Sequence, residues 1–249
     1  LAVREARRRW WLAVVPVTEA QVQDAAARVR EHLTTAGTMT RADVERVAGK
    51  DCAPGVGLWL DLVRVPPSGT WERRRADLYG LADSWLGPAT GTAAEATTHV
   101  VRRYLAAFGP ALPKDIATWA GLPVSTVTDV LHELTLRRFR DEDGRELVDL
   151  PRAPLPDPDT PAPVRFLPTY DAVLLAHARR AAVLPEKYRK LVFHTKMPQS
   201  VGTFTVDGAV AGTWRYAAGR IDVSPFEPLR DDDAEQVDAE AGRLAAFHT

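Results

Sequence analysis

The sequence is poor in sulfur: its 249 residues include one cysteine, Cys52, and two methionines. A lone thiol excludes an internal disulfide framework and a cysteine-based zinc ribbon, and it points to a reducing cytoplasm. Long apolar runs are also missing. The longest, around Trp10 to Val17, falls well short of the roughly 20 residues that a membrane-spanning helix needs, so no membrane partner is expected. The six histidines (His32, His99, His132, His177, His194, His248) show no His-x-x-x-His spacing, and neither a Gly-rich phosphate loop nor a nucleophile elbow occurs. No metal and no cofactor is expected. Charge of one sign is lacking as well, since the net charge is −1, which excludes a uniformly basic nucleic-acid-binding chain.

The charge that is present is unevenly placed. From Glu227 onward seven acids stand against two bases, which leaves 30 bases and 26 acids, a net +4, in residues 1–226. Basic clusters recur at Arg7-Arg8-Arg9, Arg73-Arg74-Arg75, Arg102-Arg103, Arg137-Arg138-Phe139-Arg140 and Arg179-Arg180. Such clusters are commonly solvated helix faces. Here they recur beside segments with the pattern of a DNA-binding module.

That pattern is clearest over Tyr104 to Leu134. Ile116, Trp119 and Ala120 recur at helical spacing, Gly121 can close the helix, Pro123 can open the next, and Val127, Val130, Leu131 and Leu134 form an apolar stripe. Asp143-Gly144 then separates two strand-like runs and predicts a hairpin. Helix-turn-helix followed by a hairpin is a winged helix, a module that usually offers the second helix of the pair to the DNA major groove.

Residues 18–50 read as an earlier copy of the plan. Thr18 caps a helix with Gln21 three residues on and Val22, Ala26, Val29 and Leu33 as its apolar face, and a short helix over Thr38 to Gly49 follows. A third helix is expected around Val56 to Val63, then a long loop or wing over Arg64 to Tyr79, and a linker over Pro88 to Glu95. Pro151 to Pro163 carries proline at nearly every other position and excludes helix and central strand. Beyond it, Val164 to Leu167 is strand-like and Val173 to Val183 helical. A hairpin over Ser200 to Tyr216 turns at Asp207-Gly208, a strand covers Arg220 to Phe226, and a helix runs from Asp231 to Phe247. The expected fold is α+β: tandem winged-helix (helix-turn-helix) domains followed by a small β-barrel-like C-terminal domain. The boundaries are 1–87 and 94–150 for the winged helices, 151–163 for the linker and 164–249 for the barrel-like domain. Because the chain starts at Leu1 within a helical pattern, it reads as a fragment or processed product.

Several of these residues together resemble a known family. Arg103-Tyr104-Leu105, Phe108-Gly109-Pro110, Asp115, Trp119 to Leu122, Leu167-Pro168, Tyr170-Asp171, Leu174-Leu175, His177, Val206-Asp207-Gly208 and Ala211 to Arg215 are similar, in order and over nearly the whole chain, to the AlkZ-like (YcaQ-like) winged-helix proteins. The resemblance implies tandem winged helices followed by a β-barrel. For studied members it implies bacterial DNA glycosylases that excise alkylated purines and unhook interstrand crosslinks. The family's catalytic Gln-apolar-Gln (or Gln-apolar-Asp) motif is expected upstream of Leu1. Gln21-Val22-Gln23 imitates it on a helix that belongs to the next module.

The partner expected is double-stranded DNA, alkylated or crosslinked. The candidate contacts are Lys114 near the start of the first helix of the pair, Ser125, Thr126 and Thr128 on the recognition helix, and Arg137, Arg138, Arg140 and Arg145 flanking the wing. Trp71 with Arg73, Arg74 and Arg75 offers a ring in a basic loop. Lys187, Arg189 and Lys190 form a further basic surface. For catalysis the weak candidates are Asp171, His177 and Arg180, although Asp171 also suits a helix N-cap and His177 a structural hydrogen bond. Two other functions fit the pattern: a non-catalytic DNA-binding regulator or lesion binder, and a protein-binding module whose wing, Asp141-Glu142-Asp143, is acidic.

Overall fold

The computed structural model describes residues 2–248 apart from 71, 72, 74, 76, 89, 179 and 194–200, with the backbone alone described at 2, 3 and 6. Trp71, Arg74, Arg179 and His194 therefore lie outside the described residues. The chain divides into two compact units, Leu1–Thr97 and Thr98–Thr249.

In the first unit, helix α1 (Ala2–Leu12) precedes α2 (Glu19–Ala36), whose start is fixed by a capping box between Thr18 and Gln21. Val22, Ala25, Ala26, Val29 and Leu33 form its buried stripe. Thr40 and Asp43 cap α3 (Arg41–Ala48) in the same way, and Gly49 ends it. A 3-10 turn at Ala53–Gly55 runs into α4 (Val56–Trp59). Strands β1 (Met39–Thr40), β2 (Leu62–Arg64) and β3 (Leu78–Leu81) make an antiparallel sheet in the order β1-β3-β2, followed by α5 (Ala82–Leu86). The helix expected over Val56 to Val63 is thus only one turn long. Leu62, Val63 and Arg64 pair instead with Leu81, Gly80 and Tyr79, so ladder bonds override a local pattern that suits either state. The loop between β2 and β3 is held by Ser68, 6% exposed, whose hydroxyl donates to the Arg75 carbonyl at 2.9 Å and accepts from the Asp77 N–H at 2.6 Å. The core gathers Val29, Leu33, Met39, Val44, Val56, Leu60 and Leu81. Each such side chain contributes about 1.5–3 kcal/mol by burial.

The division between the units falls within α6 (Ala93–Phe108), which Thr92 and Glu95 cap, so the segment expected as linker gives way to helix at Ala93. Then come α7 (Pro113–Ala120), a left-handed Gly121 at φ 66°, and α8 (Val124–Glu133). Strands β4 (Arg137–Arg140) and β5 (Glu146–Asp149) form an antiparallel hairpin. Val101, Tyr104, Leu105, Ile116, Val127, Leu131 and Val148 share one core. Gly109 passes so close to buried Asp149 that a Cβ there would overlap its carboxylate.

The proline-rich segment 151–163 forms neither helix nor strand and lies inside the second unit. Beyond it are β6 (Arg165–Leu167), α9 (Ala172–Leu175), a 3-10 turn at Glu186–Tyr188 leading into α10 (Arg189–Val192), β7 (Thr203–Val206), β8 (Ala209–Ala217), β9 (Arg220–Pro225) and α11 (Asp231–Phe247). Asp207 and Gly208 turn the β7–β8 hairpin with φ of 48° and 76°, both positive as a type I′ turn requires. The sheet runs β6-β7-β8-β9 and is open among the described residues. The expected barrel is not closed there by strand pairing; α11 packs on both edge strands, β9 and β6, and buries Val237 with Val164 and Phe204. A second departure is α9, expected to run to Val183 but ending at Leu175. Beyond it the backbone is captured from outside: the Ala176 carbonyl accepts the Tyr104 hydroxyl at 2.8 Å, and the Ala178 N–H donates to Asp115 at 2.9 Å. Among the described residues no helix is long and apolar enough to cross a membrane.

Candidate nucleic-acid interface

Burial of Val127, Val130 and Leu131 fixes which side of α8 faces the core, and this leaves Ser125 exposed and Thr126 half-buried. The start of α8 has Pro123 at its N-cap and no side-chain cap. Its first N–H groups therefore remain open donors at the positive end of the helix dipole. Lys114, at the start of α7, is exposed and makes no ion pair among the described residues. Thr128 is already committed, since its hydroxyl donates to the Val124 carbonyl at 2.9 Å.

The hairpin arginines divide into two kinds. Arg145 is held by Asp141 at 2.7 Å and Asp143 at 2.6 Å, and Arg138 pairs with Glu146 across the strands. Arg137 lies over the Phe139 ring at 5.2 Å, and Arg140 is exposed; neither makes an ion pair among the described residues. The acidic residues of the hairpin thus neutralise part of its charge, and Arg137 and Arg140 carry what remains.

The other basic candidates show the same division. Arg73 pairs with Asp77 at 3.3 Å, whereas Arg75 is exposed. Lys187 binds Glu227 at 2.6 Å, an interaction that raises the lysine pKa and lowers that of the acid. Arg189 meets Glu186 at 3.3 Å, and Lys190 is exposed without an ion pair among the described residues.

The three weak catalytic candidates share no hydrogen bond or ion pair with one another among the described residues, and each has a structural partner. Asp171 caps α9 by accepting the Val173 N–H at 2.9 Å. Arg180 donates to the Leu174 carbonyl and lies over Phe193 at 5.2 Å; burial, then repulsion from Arg189, lowers its pKa. His177 stands at 3.4 Å from the Tyr104 hydroxyl and 3.8 Å from Asp115. Sequence reasoning did not anticipate Tyr104 and Asp115 as the centre of this joint, although both belong to the motifs that carry the family resemblance. Tyr104, packed against Trp119 and Phe108, has its hydroxyl pKa pushed up by burial and then by the Asp115 charge. Gln21 and Gln23 are also accounted for: the first completes the Thr18 cap, and the second donates to Glu19 at 3.2 Å.

In the first unit a groove of about 620 Å³ opens among α3, α4 and β3, lined in part by Arg41, Glu45, Lys50, Gly57 and Tyr79. Its walls come from distant parts of the sequence, so no local motif announces it. Among the described residues no group of three His, Cys, Asp or Glu side chains is placed to hold a metal.

An open helix start, with cations free of ion pairs on the preceding helix and the following hairpin, suits a polyanion, and the comparison with known proteins points to DNA. The chain belongs to the AlkZ-like family, described as DNA glycosylase AlkZ-like, which it matches over residues 1–247. Among solved structures it is similar to Streptomyces sahachiroi DNA glycosylase AlkZ, with a TM-score of 0.71 and 22% identity over 92% of this chain and 68% of that one. At that identity the likeness carries the fold. No curated protein matches the chain.

Proposed function

We propose that this chain binds double-stranded DNA through α8 and the β4–β5 hairpin, acting as a winged helix, in the service of glycosylase chemistry: excision of alkylated purines or unhooking of interstrand crosslinks. The observation that carries this proposal is the uncapped start of α8, with Ser125 exposed on it, Lys114 exposed at the start of the preceding helix, and Arg137 and Arg140 on the hairpin that follows. Phosphate oxygens fit such a set of N–H, hydroxyl and cationic donors. In the first unit α2, α3, α4 and the β2–β3 pair form the tandem module, and the open sheet with α11 stands where the family's barrel is expected. Base excision needs a positioned water and stabilisation of a cationic sugar. The family resemblance assigns those tasks to a Gln-apolar-Gln segment; in this chain Asp171, His177 and Arg180 are each held by a structural partner.

The test is release of base from a duplex carrying an N7-alkylated guanine, comparing this chain with a longer one extended upstream. Release by the longer chain is the expected outcome. Salt-sensitive binding without release by either would favour a DNA-binding protein that does not cleave.

A further inference from the structure

We propose that the groove of the first unit receives one unstacked nucleotide of a DNA strand. This rests on the DNA-binding proposal above and adds a second mode of contact, distinct from that of α8. The two modules differ in what they can present. Helix α8 has ten residues, about 15 Å, whereas α4 has four, about 6 Å, too short to lie along a major groove. The first unit offers a concavity instead, of about 620 Å³, a volume usual for small-molecule sites.

Its lining has the chemistry of a nucleotide. Val44, Val56 and Leu62 supply an apolar floor and Tyr79 an aromatic wall, with the Arg64 guanidinium 5.8 Å from the Tyr79 ring. Arg41 and Lys50 are exposed at the groove and make no ion pair among the described residues, so they are available to the phosphates on either side of the inserted base. Two cations face one carboxylate, Glu45, which can accept from the amino group of adenine, cytosine or guanine. Aromatic walls with flanking cations are how sequence-tolerant single-strand sites hold bases. Gly57 supplies the means of testing the groove: it lines the groove, and a Cβ at this position in α4 meets nothing within 4 Å, so a substitution can begin there without a backbone clash.

The experiment measures binding of three probes: a single-stranded 12-mer with a central 2-aminopurine, the same strand with every base removed, and an undamaged duplex of equal length. The native chain is expected to quench 2-aminopurine and to bind the abasic strand about ten-fold more weakly, the loss expected for one stacked base. Gly57→Trp should weaken the single strand by a similar factor and leave the duplex unchanged. The surface pair Arg41→Gln/Lys50→Gln should flatten the salt dependence of single-strand binding by about 1.4 units. Equal affinity for the abasic strand, or unaltered single-strand binding by both variants while duplex binding persists, would overturn the groove proposal alone. Failure of the native chain to bind any probe would overturn it together with the DNA-binding proposal.

Discussion

A carboxylate that is 4% exposed must find donors for its lone pairs, and Asp115 finds them on two segments far apart in sequence. It accepts the Ala178 N–H at 2.9 Å and the Leu112 N–H at 3.2 Å, and His177 stands 3.8 Å away. Asp115→Ala should therefore lower stability by about 1–3 kcal/mol in urea denaturation, as buried donors lose their acceptor. A loss below about 0.5 kcal/mol would show that this joint is not where the second unit is held. Tyr104→Phe removes the 2.8 Å bond to the Ala176 carbonyl and should cost about 0.5–1.5 kcal/mol. Burial raises the Tyr104 pKa, with Asp115 adding to the shift, so in a spectrophotometric titration of the five tyrosines one should ionise last. That late step should be absent from Tyr104→Phe.

Among the elements, the helix starts contribute to acid sensitivity. Asp43 has its pKa lowered chiefly by the Thr40 hydroxyl, then by the Thr40 N–H and Arg46; Glu95 has its pKa lowered chiefly by the Thr92 N–H, then by that residue's hydroxyl. Folded pKa values below the unfolded ones, about 3.9 and 4.3, give stability that is fully present above those values and lost as pH falls through the folded ones. Stability measured from about pH 5 down to 3 should fall, and Asp43→Asn with Glu95→Gln should flatten the slope; an unchanged slope would remove these caps from its cause. The caps at Thr18 and Asp171, the Gly121 stop and the Asp207-Gly208 turn were legible in the sequence because their causes lie within three or four residues. The end of α9 was not, because Tyr104 and Asp115 reach it from more than sixty positions away. Nor was the short α4, where apolar residues join a ladder with β3. The arginine clusters were legible as charge, but not as paired or free: that depends on cross-strand placement, which sets Arg138 beside Glu146 and leaves Arg140 open.

At the scale of the whole molecule, the charge is arranged so that a near-neutral chain can still hold a polyanion. The acidic start of α11, Asp231, Asp232 and Asp233, balances bases elsewhere, and Arg230 binds Asp233 at 2.7 Å. DNA binding then depends on which cations have no internal partner, more than on net charge. The measurement that tests this most directly is the salt dependence of duplex binding for two double variants. Arg137→Ala/Arg140→Ala should reduce the slope of log affinity against log salt by about two units, one for each arginine withdrawn from a phosphate. Arg138→Ala/Arg145→Ala should change it far less, because those side chains are already neutralised by Glu146, Asp141 and Asp143. Equal slopes for the native chain and both variants would contradict a DNA interface on the α8 and hairpin face.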